Sequence, residues 1–296
     1  MTTARRITRI VNTPSPAPGF MGAGHEAVLV VDPNEFASQD PFILLADDRV
    51  DLAPGATAGE AHPHAGFETV TFVLEGGLHD RLEGSLNTGD VQWMTAGSGV
   101  IHNEEVMLQG RTRILQLWLT LHHKHRWSPP RFETVSRDSA PVRREPGVTV
   151  RVYSGKSGDA RATTHNYVPV TLADISLRPR AAMTQDLPAS HNGFIYVLEG
   201  AVQAGEDGRF LAAGQVGWLN RGSTAGDSSL RLVAGDAGAR AMLYAGEPTN
   251  VPIVMHGPFV GETRADLMRI SSEYLAGRFP RISEVARGAA AATSSD

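Results

Sequence analysis

The chain contains no cysteine. That excludes disulfides, thiolate zinc sites and iron–sulfur clusters together. It fits a reducing compartment, and the cytoplasm is the default expectation, although many exported proteins also lack disulfides. There is no basic excess: 27 Lys and Arg against 32 Asp and Glu give a formal charge of −5, with a pI near 6.1. This argues against a general nucleic-acid-binding surface. No run of eighteen apolar residues occurs, so no transmembrane helix is expected. The N-terminal MTTARRITRIV carries arginines but no apolar h-region, and does not read as a signal peptide. Helical patterns between the strand-like runs are also missing, and a TIM barrel or doubly wound fold would need them.

What is present centres on residues 62–104, which open with His62-Pro63-His64 and close with His102-Asn103-Glu104. Strand-like sequence (Glu68 to Leu74, then Val91 to Met94) lies between, with a Gly-rich turn at Gly76 and Gly77. Side chains two apart on a strand share a face, so His62 goes with His64 and His102 with Glu104. If the two ends lie on facing strands, three imidazoles and one carboxylate converge on a metal. Imidazole suits Fe, Cu, Ni, Zn and Mn, and a carboxylate pulls toward the harder ions. Four protein ligands leave two octahedral positions open for substrate and dioxygen, unlike a closed structural zinc site. Lone surface histidines would carry no such spacing.

These stretches resemble the pirin family of the cupin superfamily. HPHAGFETVTFVLEG, GDVQWMTAGSGVIHNE, LQLWL and the C-terminal MHGPFV all match, and the likeness runs over roughly residues 20–280. It implies His62, His64, His102 and Glu104 as ligands of one metal, most naturally Fe(II)/Fe(III), with Cu, Mn, Ni or Zn as alternatives. Glu68 stands near the place where other cupins keep a carboxylate ligand. In pirin-like chains the later Glu has that role, so Glu68 reads as supporting or structural.

The expected fold is all-β: two tandem cupin-type antiparallel barrels with a short C-terminal helix. Short strands bounded by Gly, Asp and Asn recur every eight to twelve residues, as in barrels and sandwiches. The sequence also repeats itself. Phe72-Val73-Leu74-Glu75-Gly76 is echoed by Tyr196-Val197-Leu198-Glu199-Gly200, and GDVQWM (89–94) by GQVGWL (214–219), which argues for two copies of one barrel. Counting from these anchors puts Asp186, Pro188 and Asp227 where the first copy has His62, His64 and His102. The second copy therefore reads as a scaffold without metal, and nearby His191 lacks a partner at strand spacing.

The expected boundaries are 1–128 for the metal-binding barrel, 129–147 for a Pro- and charge-rich linker, 148–280 for the second barrel and 281–296 for a disordered tail. Residues 1–19 read as a short edge strand and a loop. Gly97 and Gly99 read as glycines that let the backbone turn before His102. The HHKHRW run (122–127) reads as a solvated loop, because its histidines do not share a strand face. Over residues 262–279, Thr263 with Asp266 makes a capping-box start, Leu267, Ile270 and Tyr274 form a stripe, and Gly277 ends the helix.

Two functions follow from the resemblance. One is a quercetin-type flavonol 2,3-dioxygenase, in which Glu104 is both ligand and catalytic base. The other is a non-enzymatic, redox-sensitive iron protein that binds a transcription factor or metabolic enzyme. A site whose metal only stabilises the barrel is a third, blander reading. The partner is accordingly a small aromatic substrate or a regulatory protein, with no nucleic acid, no membrane and a monomeric state expected.

Overall fold

The computed structural model describes residues 3–285 apart from 20, 53–56, 81–83, 103–105, 108–110 and 223–225. The all-β expectation holds, with two barrels and a short helix, Arg264–Leu275, near the C-terminus. Among the described residues no helix is long and apolar enough to cross a membrane.

The chain divides into two units, and both are discontinuous. One comprises Met1–Pro14, Ser38–Pro41 and Asp138–Pro248; the other comprises Ser15–Ala37, Phe42–Arg137 and Thr249–Asp296. This differs from the sequential boundaries expected above. The strand Ile7–Asn12 pairs antiparallel with Gln215–Leu219, so the N-terminal residues complete the barrel formed by the second half. The C-terminal hairpin and helix belong with the metal-segment barrel, where Phe259 bridges to Ala65 and Arg281 to Ile101.

In the unit holding residues 62–104, the main sheet runs Arg131–Val135, Val91–Thr95, Phe67–Glu75, Thr112–Thr120, Phe42–Val50, His25–Val31 and Ala17–Pro18. Phe67–Glu75 lies inside it, between Val91–Thr95 and Thr112–Thr120, and is buried on both faces up to Glu75. Its β-branched and aromatic residues suit that place. Alternation sends Phe67, Thr69, Thr71 and Val73 to one face and Glu68, Val70 and Phe72 to the other.

Residues 129–147 are not a free linker. Arg131–Val135 and Val142–Glu145 each form one edge strand of a large sheet, pairing with Val91–Thr95 and Val148–Ser154. Edge strands tolerate the charge that made this stretch look unstructured.

The repeat is real at the level of register. Val70 and Phe72 stand opposite Trp93 and Val91, while Phe194 and Tyr196 stand opposite Trp218 and Val216. The second barrel fills its interior with apolar side chains, Val150, Ile175, Ile195, Leu211, Leu230 and Leu243 among them.

Thr263 caps the helix and completes the capping box with Asp266, and Gly277 follows at φ +68°. Ile270 is buried with Ala65, Phe259 and Phe279, and Leu267 and Tyr274 pack against them. The start of the expected tail is also anchored: Ile282 is buried against Met94, Ala96 and Val100. Residues 286–296 lie outside the described residues.

Candidate metal centre

His62–His64 and Val100–His102 form a two-stranded antiparallel ladder in which His62 stands directly opposite His102, and Val100 opposite His64. The turn into the second strand depends on glycine. Gly97 and Gly99 have φ of +50° and +120°, and a Cβ on Gly99 would lie 2.4 Å from the Phe279 ring. The pattern of spacing two therefore does bring the three imidazoles together, with one ligating nitrogen from each lying within 4.8 Å of the others.

The donor atoms are set by their other contacts. His62 donates from Nδ1 to the Glu60 carbonyl at 2.8 Å, which leaves Nε2 with its lone pair toward the group. That Nε2 lies 3.1 Å from His102 Nε2. Two nitrogens bound side by side to one ion, at the usual metal–nitrogen distance near 2.1 Å, sit about 3 Å apart. The pair thus has the separation that a shared metal requires. His64 is buried, and its pKa is held well below the usual histidine value, first by burial and then by repulsion from His102 and His62. A neutral imidazole is the form that binds metal. The residues present fit a mononuclear site.

Glu104 lies outside the described residues. Glu68 does not join the three histidines; it is buried, accepts a hydrogen bond from Thr95 Oγ1 at 2.7 Å and lies 3.9 Å from Arg131. It sits on the opposite sheet face from Phe67, whose ring packs edge-on against His64 at 5.2 Å.

The rings of His122 and His123 lie 3.9 Å apart, tilted by 41°, and neither belongs to the histidine group. Beside them Arg126 is fully buried and donates to the Gly66 carbonyl, Thr120 and Glu262, so this loop is anchored rather than wholly solvated. His191, in the other unit, has a pKa lowered to about 4, mainly by burial, and its backbone carbonyl accepts from the buried Arg5. In that unit Pro188 stands opposite Asp227, two residues out of step with the count made from the repeat.

The site opens on a cavity of about 220 Å³ that sequence reasoning did not find. Trp118, Gln116, Ile114, Leu44, Ala46 and Asp48 line it together with His62 and His64. The period-two pattern of Ile114 to Leu121 was its only trace in the sequence. Trp118 packs edge-on against His64 at 5.4 Å, and Thr71 donates to Gln116 Oε1 at 2.7 Å.

Known proteins with this architecture and sequence are numerous. The pirin family model matches residues 27–119, and the model of the pirin C-terminal cupin domain matches 172–280. A pirin-like protein of Caulobacter vibrioides is 34% identical over 267 residues, 87% of this chain and 94% of that one. Human pirin is 33% identical over 240 residues, covering 79% and 80%. A crystal structure of quercetin 2,3-dioxygenase from Acinetobacter baumannii superposes with a TM-score of 0.82 at 28% identity, covering 94% of this chain and 99% of that one. With both halves of the sequence matched in this way, the chain belongs to the pirin family.

Proposed function

We propose that this protein is a mononuclear metal-dependent oxygenase acting on flavonol-type, enolisable aromatics, with His62, His64, His102 and Glu104 as the ligands of one divalent transition metal. Iron is the first choice, and Cu, Mn, Ni and Zn suit the same donors. The observation that carries this reading is the apolar cavity lying directly against His62 and His64. A site that only stabilised the barrel or signalled to a partner would need no cavity beside its ligands. The likeness to the Acinetobacter baumannii quercetin 2,3-dioxygenase supports the choice of substrate class.

When bound, the metal would supply Lewis acidity and a redox route to dioxygen. The chain's own residues do the rest. The Glu60 carbonyl fixes the tautomer of His62, so the lone pair stays turned toward the ion. Phe67 and Trp118 wall His64 with aromatic surface and keep water from it. Glu104 takes the proton of the substrate's enol hydroxyl. The regulatory alternative uses the same ligands and differs in having no turnover.

Oxygen uptake decides between them. Protein reconstituted with Fe(II) without air is given dioxygen and a panel of flavonols. Uptake stoichiometric with flavonol loss is expected. No uptake across the panel would remove the oxygenase reading and leave the regulatory one.

A further inference from the structure

The apolar cavity has one acidic side chain in its lining, Asp48, that the oxygenase reading does not use. Its floor consists of paired positions on neighbouring strands: Trp118 opposite Leu44, Gln116 opposite Ala46, and Ile114 opposite Asp48. Trp118 touches His64, and Asp48 lies four residues farther along its strand. At about 3.3 Å per residue, the carboxylate end is roughly 13 Å from the histidine end. That length suits a flat, three-ring aromatic laid along the strands.

Asp48 is buried, with 6% of its side chain exposed, among apolar neighbours. A carboxylate in such a place is costly unless hydrogen bonds hold it. His25 supplies one. Its Nδ1 accepts from the backbone N–H of Met21 at 3.1 Å, so the ring proton sits on Nε2 and is donated to Asp48 Oδ1 at 2.9 Å. The pair holds the Asp48 carboxylate in place as an acceptor. Between the two ends, Gln116 accepts from Thr71 through Oε1, which leaves the amide nitrogen as its donor side.

We propose that Asp48, oriented by His25, is a specificity-determining acceptor that selects occupants carrying a hydroxyl at the end remote from the histidines. The orientation of the occupant rests on the flavonol reading; the acceptor itself rests on the cavity and the His25–Asp48 pair. A phenolic hydroxyl there donates to the carboxylate. An occupant lacking it forgoes that bond.

The test is binding without air to the metal-loaded protein, followed by quenching of tryptophan fluorescence. In the wild type, 3,4′-dihydroxyflavone should bind at least about tenfold more tightly than 3-hydroxyflavone, as a hydrogen bond to a charged group warrants. Asp48→Ala should bring that ratio to about one without weakening 3-hydroxyflavone. Asp48→Asn, which keeps the shape and a neutral oxygen, should give an intermediate ratio and guards against misfolding of the first variant. A hydroxyl preference that survives both substitutions overturns the assignment. A second pair, 4-hydroxybiphenyl against biphenyl, has no enol to offer a metal and separates the two readings. A hydroxyl preference in that pair alone, lost in Asp48→Ala, keeps the subsite and rejects flavonols. Absence of a preference in both pairs sinks the subsite, whatever the flavonol turnover.

Discussion

His62 and His102 stand directly opposite one another across a two-stranded ladder, with their Nε2 atoms 3.1 Å apart. Forty residues separate them in sequence, and the separation of their donor atoms is the one a single ion imposes on two neighbouring ligands. His64, two residues from His62 on the same strand face, closes the group.

Glu104 is where the enzymatic and regulatory readings part. Glu104→Gln keeps the size and one oxygen but loses the charge and most of the basicity. If Glu104 is both ligand and base, metal content falls, and turnover per bound metal falls by about 10²-fold or more, the usual contribution of a general base. Steady-state rates normalised to metal content check this. An unchanged rate per metal would remove the base role.

The C-terminal helix rests on its cap. Thr263 Oγ1 accepts from the Asp266 N–H at 3.2 Å, and the Asp266 carboxylate accepts from the Thr263 N–H at 2.9 Å. Thr263→Ala should cost about 1 kcal/mol and lower the Tm by about 2–4 °C, while Thr263→Ser should be near neutral. Thermal melts of both variants are the measurement. Equal losses in the two would mean that the cap hydrogen bond contributes nothing.

His191 gives the stability a definite slope with pH. Its folded pKa is about 4 and its unfolded value about 6.5. Between those values the unfolded chain carries the proton and the folded chain does not, so acidification favours unfolding. Stability from this group is complete above about pH 6.5, is lost as the pH falls toward 4, and changes no further below that. Urea unfolding at pH 5 and pH 7.5 should show a larger difference for the wild type than for His191→Gln. Identical differences would contradict the assignment.

Much of this was legible in the sequence because strand alternation is simple. His-Pro-His and the later His102 needed only a spacing of two and a facing strand. The repeat of Phe72 to Gly76 at Tyr196 to Gly200 was visible for the same reason. Other features depend on long-range pairing, which local sequence does not encode. Nothing near Ile7–Asn12 says that it will pair with Gln215–Leu219, and nothing near His25 points to Asp48, 23 residues away. The edge strand Arg131–Val135 was hidden by its own charge, since among the described residues it pairs on one side only, with Val91–Thr95. The cavity needed three strands in register before Trp118, Gln116 and Asp48 could be seen to share a surface.

The most direct test of the central claim is metal content. Wild-type protein and His64→Ala are each reconstituted with Fe(II) without air, freed of unbound metal by gel filtration, and assayed for metal per chain. The account predicts one metal per chain for the wild type and almost none for the variant, with both folded by circular dichroism. A His64→Ala protein that keeps a full metal would contradict it.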